Sequence, residues 1–314
     1  MRVAIIDCGT NTFHLIIADL SKNKSPQKIY KKTIAVKLGE AGISKKIISR
    51  AAFRRGINAL IKFKKKISKY KVEKIFAFAT AAIRSATNGK EFIKAAKLKA
   101  AINIKLISGN KEAEQIYCGV RKAVKMTNEK SLIMDIGGGS VEFIICNWEK
   151  IFWKHSFNLG ASLLLEEFKP SDPIKSKEII LMEKYFNNKL KLLFVQIKNN
   201  KSKIKNLIGS SGSFDTFAEL IGWKFYDRNI LKRKTEYYFD LSDYYKIHKL
   251  LINSTSAERL IMKGMIPLRV DMIIPASILL TFVLIKLNIE KMTWSDYALK
   301  EGILFSIANK TKTG

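Results

Sequence analysis

The chain has 314 residues, 47% of them hydrophobic, and carries 57 basic against 27 acidic side chains for a formal charge of +30. That length and apolar content suffice for two domains with separate cores. The charge attracts polyanions, but its basic runs are short and scattered with no basic tail, which argues against a nucleic-acid arm. Cys8, Cys118 and Cys146 have no paired spacing and no histidine cluster beside them, which weighs against a disulfide framework or zinc site and fits a reducing cytoplasm.

In chain order, the apolar run Val3-Ala4-Ile5-Ile6 ends in Asp7, and Gly9-Thr10-Asn11-Thr12 precede a second apolar run. The pattern predicts strand, tight turn, strand. Asp7 and Asp19 interrupt the first twenty residues and no cleavage site follows, so a signal peptide is not expected. Residues 28–38 read as a strand, Leu38-Gly39-Glu40 as a turn, 44–70 as a helix and 74–80 as a buried strand leading to Arg84. Asn88-Gly89 breaks the chain before a helix at 91–101. A strand at 104–107 and Ser108-Gly109 then open a helix at 111–125. This alternation predicts an α/β domain.

Polarity rises at Thr127-Asn128, and the first device returns in register: Leu132-Ile133-Met134, Asp135, Gly137-Gly138-Gly139-Ser140, then an apolar run containing Glu142. In both copies a Thr or Ser follows five positions after the Asp. The repeat predicts two similar half-domains, residues 1–125 and 126–296, whose turns face one cleft. Further strands are expected at 141–146 and 151–157, a short helix after Gly160, and a long amphipathic helix over 174–198. A strand at Leu207-Ile208 leads into a small-residue loop from Gly209 to Ser213, with Ser211 a phosphate-binding candidate. The apolar run 273–285 includes Pro275 and is shorter than the ~20 residues of a membrane span, so it reads as a buried helix. A last helix at 297–309 is expected to pack on the first half.

Phosphate needs donors that approach closely. Gly9 and Gly137 to Gly139 are expected to supply positive φ angles that aim backbone N–H groups into one concavity, with hydroxyls from Thr10, Thr12 and Ser140. Asp7 and Asp135, each at a strand end, suit a hard cation such as Mg²⁺; Glu142 alternates with the apolar residues of its strand and can face the same place. Two phosphate turns and a metal point to phosphoryl transfer or hydrolysis, which needs charge neutralisation and a group to orient the nucleophile. Glu112, at a helix start, is the candidate base, with Glu114 as rival; a plain interaction with the helix dipole is the simpler alternative. Arg84 can fork onto phosphate oxygens or form a surface ion pair. His14, His155 and His248 show no triad pattern. The Walker A pattern is absent.

These residues resemble the exopolyphosphatase / guanosine pentaphosphate phosphohydrolase (Ppx/GppA) family of the actin-like ATPase superfamily, over nearly the full length. The matching segments are Asp7-x-Gly-Thr-Asn-Thr, Thr80-Ala-Ala-Ile-Arg84, Ile107-Ser-Gly-x-x-Glu112-Ala, Asp135-Ile-Gly-Gly-Gly-Ser-x-Glu142, Gly209-Ser-Ser-Gly, Arg269-x-Asp271 and Lys300-Glu301-Gly302-Ile303-Leu304. The resemblance implies two ribonuclease-H-like α/β domains with the active site in the cleft between them. It also implies Mg²⁺ as cofactor and hydrolysis of terminal phosphoanhydride bonds, with Glu112 activating water, Arg84 assisting and Asp135 associated with the metal. Thr10 and Thr12 replace the family's usual serines and keep the hydroxyls. Val141 replaces a Thr, Lys37 and Lys300 replace Arg, and Lys111-Glu112 leaves one carboxylate of an acidic pair.

The expected partners are inorganic polyphosphate or a phosphorylated guanine nucleotide, with no membrane or nucleic acid and with a homodimer left open. Two alternatives remain: a non-catalytic polyphosphate or nucleotide sensor, and a small-molecule kinase of the same superfamily. The chain's excess positive charge leans toward polyphosphate.

Overall fold

In the computed structural model, which describes residues 1–21, 24–199, 203–227 and 230–310, Ala4, Ile6 and Cys8 of β1 (Arg2–Cys8) are fully buried on one face of the strand. They join the core beneath α1 (Arg50–Lys69) and α3 (Gly89–Ala100). Strand β2 (Thr12–Asp19) runs antiparallel to β1, and β3 (Gln27–Ala35) antiparallel to β2. Strand β4 (Lys74–Ala79) is parallel to β1 and leads into α2 (Ala81–Ser85); β5 (Ile104–Leu106) is parallel to β4 and precedes α4 (Gly109–Ala123). The sheet order is β3-β2-β1-β4-β5.

The second sheet repeats that topology. Strands β6 (Ser131–Ile136), β7 (Val141–Cys146) and β8 (Ile151–Phe157) form an antiparallel meander. Helices α5 (Ala161–Phe168), α6 (Ser176–Lys189) and α7 (Lys191–Asn199) follow. Then β9 (Asn206–Ser210) lies parallel to β6 and leads into α8 (Ser211–Phe225). After β10 (Glu236–Phe239), α9 (Leu241–Ile252), α10 (Ser256–Ile261) and α11 (Ile273–Lys286), β11 (Lys291–Ser295) runs parallel to β9, giving the order β10-β11-β9-β6-β7-β8. Leu132, Met134 and Ile136 of β6 face the core with α5, α6, α8 and α11. Helix α12 (Leu299–Lys310) belongs with the first sheet.

The chain thus divides into two units, one of residues 1–119 with the segment from Ala298, the other of residues 120–297. The division falls inside α4, whereas the sequence reading placed it at residues 125–126 on the rise in polarity. Within the first unit α4 crosses α12 with backbones nearly touching. A Cβ on Gly302 would lie 1.7 Å from the Gln115 carbonyl oxygen, and one on Gly119 2.3 Å from that of Ala298. Only glycine fits such a crossing.

Several expected boundaries move for local reasons. The strand expected to 38 ends at Ala35 because the next four amides turn onto the first loop: Val36 and Lys37 donate to the Asn11 carbonyl, Leu38 and Gly39 to that of Thr10. The helix expected from 44 starts at Arg50, where the Ser49 hydroxyl caps Ala52 N–H. Upstream, Ala41 and Lys46 have φ of 57° and 53°, which no helix contains. The long helix over 174–198 is two helices broken at the buried Leu190. The apolar run from Ile273 is a buried helix with Pro275 in its first turn, where a missing N–H costs nothing. Among the described residues no helix is long and apolar enough to cross a membrane.

Candidate active site

In the first unit, Asp7 lies on β1 opposite His14 of β2, and Gly9 to Asn11 make the turn between the strands. Gly9 N–H donates to the Thr12 carbonyl at 3.1 Å, and a Cβ on Gly9 would press against that same oxygen at 3.0 Å. Thr10 and Asn11 are buried, their carbonyls held by the 36–39 amides. Thr12 Oγ1 is 2.9 Å from His14 Nε2.

Glu112 and Arg84 come together although 28 residues separate them. Arg84 leaves α2 directly after β4; Glu112 sits in the first turn of α4, where Ser108 Oγ accepts from Lys111 N–H. Arg84 Nη1 donates to Glu112 Oε2 at 2.9 Å and to the Ile107 carbonyl at 3.0 Å. The Glu112 carboxylate is buried and Arg84 is one-quarter exposed. The guanidinium thus fixes the orientation of the carboxylate. Glu114, the rival base, pairs instead with Lys111 at 2.6 Å on the exposed side of the helix.

In the second unit, Asp135 of β6 and Glu142 of β7 are registered cross-strand neighbours, so their side chains share a face. Both are buried. Asp135 Oδ2 accepts from Ser210 Oγ and Ser211 Oγ, each at 2.7 Å; Glu142 Oε1 accepts from Ser156 Oγ at 2.6 Å. Ser211 has φ of 71°, a left-handed conformation that costs a serine roughly 1–2 kcal/mol. The strain lies where β9 turns into α8, and it brings the hydroxyl onto Asp135.

The Gly137–Ser140 turn is built against α5. The amides of Ala161, Ser162 and Leu163 donate to the Gly137 and Gly138 carbonyls, and Gly137 N–H donates to the Ser140 carbonyl. A Cβ on Gly160 would lie 2.3 Å from the Gly138 carbonyl carbon, so Gly160 is what allows this approach. With the carbonyls occupied, the Gly138 and Gly139 amides make no hydrogen bond among the described residues. Unused N–H groups in a tight turn suit an anion. One expectation needs correcting. Gly9 and Gly137 to Gly139 do not lie in the left-handed region, and Gly264 alone among the described glycines has a positive φ, 93°. At Gly9, Gly137 and Gly160 close backbone approach, not φ, calls for glycine.

Arg269, a motif residue to which the sequence attaches no role, belongs beside Asp135. Its guanidinium lies over the first turn of α8, so that a Cβ on Gly212 would be 1.8 Å from it. Arg269 is buried and its Nε has no hydrogen-bond partner. Burial pulls it below the ordinary arginine value, opposed by Asp215 and Asp135. The sequence signal was present, a glycine at the start of a helix, but the arginine that needs it stands 57 positions later. Elsewhere the histidines carry no chemistry of this kind: His155 stacks on Trp153, and burial lowers His248 to about 4, bonded to Ser277.

Among the described residues no three His, Cys, Asp or Glu side chains gather as a metal cage. A hard cation such as magnesium binds through one or two carboxylates, with water and phosphate oxygens completing its shell. Asp135 and Glu142 offer such oxygens from one sheet face.

A family model described as the Ppx/GppA phosphatase family matches residues 16–311. The chain is 28% identical over 309 residues to a putative exopolyphosphatase of Haemophilus influenzae, covering 98% of this chain and 91% of that one. It is also 28% identical over 310 residues to the guanosine-5′-triphosphate,3′-diphosphate pyrophosphatase of Pseudoalteromonas translucida, where it spans 59% of that protein's length and 97% of its own. The crystal structure of an exopolyphosphatase from Cytophaga hutchinsonii superposes with a TM-score of 0.95 at 39% identity, over the whole of both chains. The repeated α/β sheets are those of the actin-like ATPase fold, and the chain belongs to the Ppx/GppA phosphatase family, hydrolases acting on acid anhydrides.

Proposed function

We propose that this chain is a Mg²⁺-dependent phosphohydrolase that releases terminal phosphate from inorganic polyphosphate, from guanosine pentaphosphate, or from both, with Glu112 activating water. The observation that carries the reading is the Arg84–Glu112 pair. It presents a buried carboxylate at the start of a helix, held by a guanidinium able to bind phosphate. The names of the relatives above support the substrate class.

In this reading water donates its proton to Glu112 as its oxygen attacks the terminal phosphorus. The phosphoanhydride bond breaks, and the shortened chain leaves with the bond's electron pair on its oxygen. Arg84 shifts from Glu112 toward the phosphoryl oxygens as negative charge concentrates there. The turn amides of Gly138 and Gly139, with Ser140 and the hydroxyls of Thr10 and Thr12, orient phosphate, and Ser211 and Arg269 hold the surroundings of Asp135. Bound magnesium would neutralise phosphate charge. Asp135 and Glu142 are the carboxylates that suit it in the second unit, and Asp7 is a third in the first. Free thiols at Cys8, Cys118 and Cys146 suit a reducing cytoplasm.

Phosphate release from polyphosphate and from guanosine pentaphosphate, with and without Mg²⁺, tests the reading. Glu112→Gln should lower the rate by about 10²- to 10⁴-fold, the contribution of a general base, and leave tripolyphosphate affinity within a few-fold. Tight binding with no release by the wild type would identify a sensor instead. Release only with ATP and an acceptor would identify a kinase.

A further inference from the structure

The first turn continues into a line of three polar side chains across the edge of its sheet. Thr12 Oγ1 is 2.9 Å from His14 Nε2, and His14 Nδ1 is 2.9 Å from Thr33 Oγ1. Thr12 and His14 stand on β2, and Thr33 is the registered partner of His14 on the edge strand β3. Thr33 is exposed, while Thr12 and His14 are half-buried.

With the ring neutral, the imidazole has one N–H and one lone pair, and this line has two possible polarities. If Nε2 accepts, the Thr12 hydroxyl spends its only hydrogen on the ring and turns lone pairs toward an arriving phosphate. If Nε2 carries the hydrogen, the ring donates to Thr12 Oγ1, and the Thr12 hydrogen is left to point away from the ring. Thr33 then fills the Nδ1 lone pair with its own hydroxyl hydrogen. Only the second polarity makes Thr12 a donor to an anion.

We propose that His14 is a positioning residue of the phosphate turn, holding the Thr12 hydroxyl as a donor to bound phosphate through an Nε2–H tautomer completed by Thr33. This rests on the phosphohydrolase reading for its substrate. His14 itself touches no substrate, and Thr33 acts one step further away. The edge strand β3 thereby takes part in orienting phosphate from outside the turn.

The test measures tripolyphosphate affinity by calorimetry, and KM and kcat for phosphate release, in His14→Leu, His14→Gln, His14→Asn, Thr12→Val and the His14→Leu/Thr12→Val double variant. A glutamine amide nitrogen reaches the place of Nε2, whereas that of asparagine reaches the place of Nδ1. Losing one neutral hydrogen bond should weaken binding and raise KM about fivefold in His14→Leu, with kcat changed less. His14→Gln should restore most of the affinity and His14→Asn should not. The double variant should be no worse than Thr12→Val alone, since both remove the same interaction. Thr33→Val, on the exposed edge, should raise KM by a smaller factor with unchanged thermal stability, which separates the relay from a folding defect. Equal rescue by Asn and Gln, additive losses, or a silent Thr33→Val in an active enzyme would overturn the proposal and leave the hydrolase reading standing. The expected binding pattern without phosphate release would do the reverse, and absence of binding by the wild type would remove both.

Discussion

Ser211 shows what a single residue gives up to place one oxygen. It keeps a left-handed backbone that a glycine would adopt freely, and its hydroxyl shares Asp135 Oδ2 with that of Ser210. Ser210 is the N-cap of α8, yet its side chain makes no capping bond and turns to Asp135 instead. A helix start normally gains about 1 kcal/mol from such a cap. Two local stabilities are thus set aside for one carboxylate oxygen, which is expected where position matters more than stability. The consequence can be measured with two variants. Ser211→Gly relieves the backbone and Ser211→Ala does not, so the glycine variant should be the more stable by about 1 kcal/mol in urea unfolding. Both lose a hydrogen bond to a charged group, so both should lower kcat/KM by about ten- to a hundredfold. If activity instead followed stability across the two, Asp135 would not depend on the Ser211 hydroxyl.

At the scale of elements, α12 is held in the first unit by the close crossing at Gly119 and Gly302 and by a buried carboxylate. Glu301 has no exposed side-chain area; Lys28 lies 3.4 Å from its Oε1, while Lys300 at 3.2 Å and the Ala298 amide share its Oε2. Burial opposes its ionisation, but Lys300, Lys28, the Ala298 amide and Lys31 together hold it below the usual carboxylate range. A carboxyl group whose folded value is depressed contributes stability above its unfolded value of about 4.3 and loses it as pH falls through the folded value. Glu301→Gln should therefore destabilise the protein at pH 7, and the gap to wild type in urea unfolding should narrow below about pH 4. A gap that persisted in acid would mean that packing, not charge, is what Glu301 supplies. The lysines at 28, 31 and 300 were visible in the sequence; their convergence on one acid was not, because β3 and α12 lie at opposite ends of the chain.

The same contrast holds along the rest of the chain. Turn motifs flanked by apolar runs, such as Asp7 to Thr12 and Asp135 to Ser140, are local, and local patterns survive folding. The pairing of Arg84 with Glu112 was suggested only as two separate candidates, since 28 residues and a strand intervene. Strands β10 and β11 and helices α9 and α10 lie outside the elements that the sequence pattern predicts. Residues 236–239 and 291–295 are short and carry polar residues, and their strand character comes from pairing with each other and with β9. The break at Leu190 has no glycine or proline to announce it. The positive φ expected of the turn glycines failed for a different reason: sequence shows that a Cβ is missing but not whether the backbone angle or a neighbouring carbonyl required it.

For the molecule as a whole, the question is whether a charge of +30 serves binding or merely reflects a lysine-rich composition. Named ion pairs occupy only some of the 57 cations, and Arg50, Arg54 and Lys99, for example, make no ion pair among the described residues. An unneutralised surplus produces a field that reaches about a Debye length, ~8 Å at physiological ionic strength, and draws anions in proportion to their charge. A long polyphosphate carries many more charges than guanosine pentaphosphate and should feel the surplus more. The dependence of log kcat/KM on log salt, measured between about 50 and 500 mM potassium chloride, should then be steeper for long-chain polyphosphate than for the nucleotide. Kcat at saturation should change little for either, because screening acts on encounter and not on the Glu112 step. Reversing exposed lysines far in sequence from the turns, such as Lys62→Glu with Lys65→Glu, should flatten the polyphosphate slope without altering the nucleotide's. Equal slopes for the two substrates would assign the charge to composition, and the preference between them would then rest on the turns alone.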